Sequence, residues 1–285
     1  MAVRVGFMGL GNMGEGMASN LAKAGFPLTV LDIRPEPVGR LVAMGAAAAA
    51  DTHDLGTRSD IVCLALFDEA QVREACSPRS GARGLLDGMK SGGIVVVHST
   101  VPPQLTQELA RLAEARGIAV LDAPMTGGGD TAARAGKLTF FVGGDAATLE
   151  RALEVLCAMS QNQFHVGDVG AGSTTKVLSN FLAISNTLVV REAMRLARAA
   201  GIDEAKCLSV INAGAVGSSW VSNNWYRIRE QGESYTTGQT GMITMASKDL
   251  HLARDLAREL GTPMPTLDQL IDHSLPELRD HGLTY

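Results

Sequence analysis

The chain has 285 residues, of which 46% are hydrophobic and 19% charged, and its formal net charge is -5. This length allows one large domain or two ordinary ones, and the apolar share is enough for a sizeable core. The mildly acidic balance gives no electrostatic reason to expect nucleic acid or an anionic membrane as a partner.

The sequence does not carry the features of a secreted, membrane-spanning or metal-binding protein. It opens directly with a strand-like run, and its longest apolar runs are broken by Gly, Asp or Arg. We therefore expect a cytoplasmic protein. The four cysteines form no CxxC pair and the six histidines show no metal-ligand spacing, which favours reduced thiols in or near the core and no metal site.

The first half of the chain alternates strand-like and helix-like segments. Strand-like apolar runs occupy residues 3–8, 28–31, 60–66, 94–97, 118–121 and 138–142. Helical periodicity covers 14–24 and 103–116, and Gly25 and Gly117 are placed to end these helices. The alanine run 46–50 is expected to be a buried third strand. Apolar strands that alternate with helices predict a parallel sheet covered on both faces.

The second half has helical periodicity and almost no strand after Gly170. Residues 172–200 predict one long helix that ends at Gly201. Further helices are expected at 204–211, 221–229, 245–260 and 267–278. An α/β half followed by an all-helical half is typical of a cofactor-binding domain joined to a substrate-binding domain.

A glycine-rich turn follows the first predicted strand. Gly9, Gly11 and Gly14 form a G-x-G-x-x-G pattern that ends where the first helix begins. The first glycine permits a tight turn, the second lets the backbone approach a pyrophosphate, and the third permits close helix–sheet packing. The helix N-terminus offers free N–H groups to the phosphates. This context favours a dinucleotide site over an ordinary glycine turn. The expected cofactor contacts are Gly9, Leu10, Gly11, Asn12, Met13 and Gly14.

An acidic residue, Asp32, ends the second predicted strand, where its carboxylate can accept hydrogen bonds from the ribose of NAD. It would repel the extra phosphate of NADP by about 4 kcal/mol at roughly 4 Å and an effective dielectric of about 20. Arg34 could compensate that repulsion as a cofactor contact, or be a solvated loop arginine. We expect NAD to be preferred, with NADP possible.

These features predict an α/β protein. An N-terminal Rossmann NAD(P)-binding domain is expected at residues 1–165, followed by an all-helical C-terminal substrate and dimerisation domain at 166–285 with a long interdomain helix.

Four segments spread over the chain carry a family resemblance. GLGNMGEGMASNLAKAG at 9–25, DAPMTGG at 122–128, GDVGAGSTTKVLSN at 167–180 and KDLHLA at 248–253 occur in this order. They resemble the N-terminal signature, the substrate-binding, the catalytic and the C-terminal cofactor-closing segments of the β-hydroxyacid dehydrogenases, which include 3-hydroxyisobutyrate dehydrogenase and tartronate semialdehyde reductase. The resemblance implies hydride transfer between NAD(P) and a small 3-hydroxy acid or its semialdehyde, in a homodimer or homotetramer.

Lys176 and Asn180 lie four residues apart in the long predicted helix, so their side chains project from one face. An amine and an amide that project together can hold a substrate oxygen, one transferring the proton and the other fixing the geometry. The resemblance makes Lys176 the general acid/base and places both residues at the substrate. The alternative is an exposed helix lysine without a catalytic role.

Thr126, Gly127 and Gly128 follow a strand end and the rigid Pro124. Their N–H groups and the threonine hydroxyl can cradle a substrate carboxylate, although a plain glycine turn is the alternative. The family usually has serine where Thr126 stands, so the hydroxyl is kept. Ser99 ends the fifth strand and is expected at the substrate too, because ligands of open α/β sheets bind at the carboxyl edge.

Further cofactor contacts are expected from strand ends and from the C-terminal half. Leu66 and Phe67 end the fourth strand and are expected to line the cofactor site. The resemblance places Thr100 on the nicotinamide side of the cofactor and gives Lys248 a cofactor or closure role.

Three positions depart from the family pattern. His98 stands where an acidic residue is common and Phe67 where proline is common, and neither change removes a required group. Gly241 stands seven residues before Lys248, where a phenylalanine often lies near the substrate. The glycine predicts a roomier pocket, although ordinary packing is the alternative for the large side chains that could partly fill it. These are Trp220, Trp225 and Met242.

Two other interpretations remain open. The scaffold also fits an imine reductase or a related reductase, but those relatives usually lack the lysine at position 176. A catalytically silent dinucleotide-binding module would require loss of Lys176 or of the carboxylate cradle, and both are present.

Overall fold

The structure of the protein is a computed structural model that describes residues 2–78, 81–214, 216–234 and 241–281. The chain divides into two units, Met1–Lys176 and Val177–Tyr285. The strands are β1 (Val5–Met8), β2 (Leu28–Leu31), β3 (Ala47–Ala48), β4 (Ile61–Leu64), β5 (Ile94–Val97), β6 (Ala119–Asp122), β7 (Met125–Thr126), β8 (Leu138–Gly143) and β9 (Ser160–Gly167). The helices between them are α1 (Gly14–Lys23), α2 (Pro35–Ala43), α3 (Thr52–Thr57), α4 (Glu69–Cys76), α5 (Leu85–Gly88), α6 (Pro103–Glu114), α7 (Asp130–Arg134) and α8 (Ala146–Met159).

One sheet organises the first unit. Its strand order is β3-β2-β1-β4-β5-β6-β8-β7, with β9 paired to β8. Strands β1 to β6 run parallel to one another, and five of them end in register. Their last residues stand side by side as Leu31, Met8, Leu64, Val97 and Asp122. The residues that follow these strands therefore meet at one edge of the sheet, where open α/β sheets bind ligands.

Successive strand residues pack into separate cores on the two faces of the sheet. Cys63 and Val96 belong to one buried cluster, whereas Val62 and Val95 belong to the other. Helices cover both clusters, so the prediction of a sheet buried on both faces is confirmed.

Strand β8 corrects the prediction of a parallel sheet. It pairs antiparallel with β6 and with β7. The chain reverses between β7 and β8, where Gly127, Gly128 and Gly129 have φ of 149°, 90° and 91°. Apolar runs identify strands but not their direction, and for this reason the prediction was wrong here.

The two ends of the predicted strand set also need correction. The alanine run forms only the two-residue β3, and Ala48 is exposed although Ala46 is buried, so a buried third strand was wrong for most of the run. Strand β9 was not predicted, because its sequence SQNQFHVG is largely polar and its side chains are mostly exposed.

The long helix α9 (Ala171–Ala199) matches the predicted 172–200 and contains the point where the two units divide. The rest of the second unit is helical, with no strand among its described residues. Its elements are α10 (Glu204–Ala213), α11 (Trp220–Asn223), α12 (Trp225–Ser234), α13 (Met242–Glu259), α14 (Pro265–Gln269), a π-helical turn (Leu270–Ser274) and α15 (Leu275–His281). In the described ranges, no helix combines the length and apolarity that a membrane crossing needs.

Candidate active site

The glycine-rich turn joins β1 to α1. Gly9 has φ +93°, and a Cβ there would lie 2.8 Å from the carbonyl carbon of Ala65. A Cβ on Gly14 would lie 3.0 Å from the carbonyl carbon of Gly9. A Cβ on Gly11 would have nothing within 4 Å. Two of the glycines are therefore required by the turn itself, whereas Gly11 borders open space through which a phosphate can approach.

The backbone of this turn offers donors. In the described part of the chain, the N–H groups of Gly11, Asn12 and Met13 donate to no other backbone carbonyl. They directly precede α1, whose N-terminus carries a partial positive charge. The turn therefore fits the pyrophosphate of a dinucleotide.

Asp32 binds the glycine-rich turn directly. One carboxylate oxygen accepts from the N–H of Leu10 at 2.6 Å, and the other accepts from the N–H of Arg34 at 2.9 Å and from its Nε at 3.1 Å. Arg34 also donates from Nη2 to the carbonyl of Leu10 at 2.8 Å. Burial works to raise the pKa of Asp32, but the hydrogen bonds and charge of Arg34 and the Leu10 N–H bring it below its usual value.

The ends of β4 and β5 are tied together by Ser99. Its buried hydroxyl accepts from the N–H of Leu66 at 2.8 Å. The N–H of Phe67 donates to the side chain of Gln71 at 3.1 Å, and Thr100 is half-buried beside Ser99. Ser99 thus orders the turn after β4. The predicted contacts with substrate or cofactor remain predictions for all four candidate residues, which are Leu66, Phe67, Ser99 and Thr100.

His98 is a buried residue of the sheet core, with 1% of its surface exposed. Its Nδ1 lies 2.7 Å from the carbonyl of Ala123, so Nδ1 carries the proton. The ring contacts two aromatic side chains, Phe7 and Phe140, with ring centroids 6.4 Å and 4.9 Å away. Burial lowers the pKa of His98 to about 4, so the imidazole is neutral at ordinary pH.

The segment with Thr126 follows β6, whose last residue contacts the start of α9. Thr126 is half-buried and Gly127 is exposed, so the segment is accessible to a ligand. Asp122 precedes it, and its carboxylate accepts from the N–H of Gly170 at 2.8 Å and of Ser173 at 2.6 Å. Lys176, which is half-buried, lies one helical turn after Ser173.

A second group of polar side chains lies in the Val177–Tyr285 unit. The amide of Asn180 donates to Asp249 at 2.6 Å, and Lys248 lies 2.8 Å from the other carboxylate oxygen. Asp249 is buried, with 8% of its surface exposed. Sequence reasoning missed Asp249, although it sits inside the KDLHLA segment and an acidic residue on a buried helix face is a usable signal. His251 Nδ1 lies 2.7 Å from the carbonyl of Ser247.

The residues connected with the pocket predicted at Gly241 have different environments. Trp225 is 2% exposed and donates to Glu204 at 2.7 Å, so it belongs to the core of its unit. Trp220 is 57% exposed, so ordinary core packing was the wrong interpretation for that residue. Gly241 is the N-cap of α13, and Met242 packs against the Trp225 cluster. A roomier pocket at Gly241 stays a prediction.

The structure also shows the exposure of the cysteines and the distribution of potential metal ligands. Cys63 and Cys76 are buried and Cys207 is half-buried, but Cys157 is exposed, so a core or near-core location was wrong for Cys157. The described residues contain no group of three or more His, Cys, Asp or Glu side chains that could hold a metal ion.

The sheet, the glycine-rich turn and the anchored acidic residue define a dinucleotide-binding protein of the α/β class. Residues 4–167 match the family model for the NAD binding domain of 6-phosphogluconate dehydrogenase, and residues 170–275 match the model for the NAD-binding domain of NADP-dependent 3-hydroxyisobutyrate dehydrogenase. The chain belongs to the β-hydroxyacid dehydrogenase family.

Individual relatives agree with this assignment. An NAD-dependent L-serine dehydrogenase of Pseudomonas aeruginosa is 38% identical, covering 93% of this chain and 89% of the relative. The crystal structure of a 3-hydroxyisobutyrate dehydrogenase from Salmonella typhimurium is 31% identical with a TM-score of 0.85, covering 99% of this chain and 95% of that one. An imine reductase from Pseudomonas sp. has a TM-score of 0.67 over 99% of this chain and 96% of its own, at 20% identity, which shows a shared fold alone.

Proposed function

We propose that the protein is an NAD-dependent dehydrogenase that oxidises a small 3-hydroxy acid, such as L-serine or 3-hydroxyisobutyrate, or reduces the matching semialdehyde. Membership of a family of hydroxyacid dehydrogenases supports the reaction class. The observation that carries the assignment is the position of Lys176. It lies one turn into α9, and the start of α9 is hydrogen-bonded to Asp122. Asp122 belongs to the same segment as Thr126.

The proposed chemistry divides the work between the cofactor and the side chains. When bound, the nicotinamide cofactor accepts or supplies the hydride. Lys176 takes the proton from the substrate hydroxyl in oxidation and returns it to the carbonyl oxygen in reduction. Asn180 orients that oxygen, and the Thr126 hydroxyl with the N–H groups of Gly127 and Gly128 holds the substrate carboxylate.

The cofactor side of the proposal favours NAD. Asp32 is ionised at neutral pH and bound to the glycine-rich turn, so its negative charge is held beside the expected ribose position. Arg34 balances part of that charge, which leaves NADP as a weaker cofactor.

The test measures NADH formation with L-serine, 3-hydroxyisobutyrate and L-threonate, each with NAD and with NADP. Lys176→Ala should lower kcat by about 100- to 10,000-fold and leave the Kd for NAD nearly unchanged. Lys206→Ala is the matched control, because Lys206 is an exposed helix lysine of α10 without a predicted role. Retained turnover in Lys176→Ala would refute the catalytic role of the lysine.

The proposed enzyme is a homo-oligomer. Helix α9 exposes an apolar stripe formed by Leu178, Leu182, Val189 and Leu196, which are 51% to 70% exposed. Their spacing of four and seven residues places them on one helix face. Contiguous apolar patches of this kind mark protein interaction sites, and a second copy of the chain is the partner that the family suggests.

A further inference from the structure

The carboxylate of Asp122 connects two parts of the proposed active site. Asp122 ends β6 and begins the stretch that contains Thr126. It binds the N–H groups of Gly170 and Ser173, which lie 48 and 51 residues further along the chain at the start of α9. Lys176 occupies the following turn of the same helix.

This contact differs from the other helix caps of the protein. Asp51, Asp68, Asp145 and Asp203 each cap the helix that directly follows them in sequence. Asp122 is 0% exposed and satisfies a helix that belongs to a distant part of the sequence. Burial raises the pKa of Asp122, and the N–H groups of Gly170 and Ser173 oppose that effect. A buried carboxylate costs free energy, which makes it a poor choice if helix capping alone were needed.

Two glycines hold the helix start close to the sheet. A Cβ on Gly143 of β8 would lie 2.8 Å from the N of Gly172 and would also collide with Asp122 Oδ1. A Cβ on Gly172 would lie 2.5 Å from the carbonyl oxygen of Asp122. The first turn of α9 therefore lies too close to β6 and β8 to admit any side chain at these positions. Its placement is defined by backbone contacts as well as by the carboxylate.

We propose that Asp122 is a positioning residue for the dehydrogenase reaction. It fixes the first turn of α9 against the end of β6, so that Lys176 keeps a constant orientation toward the segment that contains Thr126. Asp122 acts through the helix and exchanges no proton with the substrate. This proposal rests on the role proposed above for Lys176.

The test compares Asp122→Asn with a matched control. Asp122→Asn keeps the size of the side chain but replaces one of its two accepting oxygens with an NH2 group, so that either Gly170 or Ser173 loses the acceptor for its N–H. We expect kcat to fall by about 10- to 100-fold while the Kd for NAD changes by less than about twofold. Asp145→Asn should leave kcat unchanged, because Asp145 caps α8 through the N–H of Thr148 at 2.8 Å and α8 carries no predicted site residue.

Normalising kcat to the number of NADH-binding sites separates positioning from simple stability. A purely structural role would lower the melting temperature and the fraction of binding-competent enzyme, but would leave kcat per site unchanged. Gly143→Ala displaces the same turn and should lower kcat per site in the same way. The double variant of Asp122→Asn and Gly143→Ala should have nearly the same kcat per site as the less active single variant, because both changes act on one contact.

The outcomes distinguish the two proposals. Wild-type kcat per site in Asp122→Asn, with Lys176→Ala inactive, overturns the positioning role and leaves the proposed function intact. Retained turnover in Lys176→Ala instead removes the catalytic role of Lys176 on which the positioning role rests. The proposed function itself is overturned only if the wild type turns over none of the hydroxy acids with NAD or NADP. If Asp122→Asn does not fold, Gly143→Ala decides the question, and wild-type kcat per site in that variant overturns the proposal.

Discussion

The side-chain amide of Asn180 donates to the carboxylate of Asp249 over 2.6 Å. This bond fixes which way the amide faces, because the NH2 group is engaged and the carbonyl oxygen points elsewhere. The other oxygen of Asp249 lies 2.8 Å from Lys248, so one buried carboxylate contacts a predicted catalytic residue and a predicted cofactor residue.

Asp249→Ala is expected to lower kcat by about 10- to 100-fold, the range of a hydrogen bond to a charged group worth roughly 1.5–3 kcal/mol. Steady-state kinetics of Asp249→Ala, Asn180→Ala and the double variant measure the coupling. Asp255→Ala on the same helix is the control, since its side chain is 70% exposed. Fully additive losses in the double variant would show that the two residues act independently.

Asp32→Asn should shift cofactor preference toward NADP. The change removes the negative charge beside the expected ribose position but keeps an acceptor for the N–H of Leu10. The ratio of kcat/KM with NADP to that with NAD should rise by about tenfold, or roughly 1.4 kcal/mol. Glu36→Gln, in the first turn of α2, is the control for a general change of charge. An unchanged ratio would mean that Asp32 only supports the turn.

His98 should make the protein less stable in mild acid. Its pKa is about 4 in the folded chain and 6.5 in a free histidine, so the unfolded chain binds a proton that the folded chain does not. The contribution of the neutral His98 to the free energy of unfolding is about 3 kcal/mol. It is present above about pH 6.5 and is lost as the pH falls toward 4.

Urea denaturation between pH 4.5 and 7.5 tests this expectation. His98→Gln keeps a donor for the carbonyl of Ala123 but does not titrate, so its free energy of unfolding should fall less steeply with pH. His251→Gln serves as the control, because His251 is only partly buried. Parallel pH profiles for wild type and His98→Gln would contradict the prediction.

Charges on the apolar stripe of α9 should dissociate the oligomer. We expect Leu182→Glu combined with Val189→Glu to give a single chain of 29.9 kDa by light scattering, while the wild type has a larger mass. Leu153→Glu on α8 is the control, since Leu153 is also exposed but lies outside the stripe. A monomeric wild type would remove the oligomer from the proposed function.

Local sequence patterns were sufficient for much of the architecture. Residues 172–200 were predicted as one helix and form α9, because helical periodicity and a terminal glycine are local signals. The strand VGFM and the glycines after it likewise predict the dinucleotide-binding turn, because strand, turn and helix start are contiguous in the sequence. The polar strand β9 has no such signal, since it is held by pairing with β8 rather than by its own pattern.

The partners of individual side chains could not be predicted from local sequence patterns. The α/β and helical halves, the glycine-rich turn and the candidate lysine could be predicted from local sequence, since each depends on neighbours within a few residues. The three-dimensional fold was needed to show that Asp122 caps α9, that Asn180 binds Asp249 and that β8 runs antiparallel. Those contacts join residues about 50 or more positions apart or depend on where the chain reverses, and no local periodicity encodes either property.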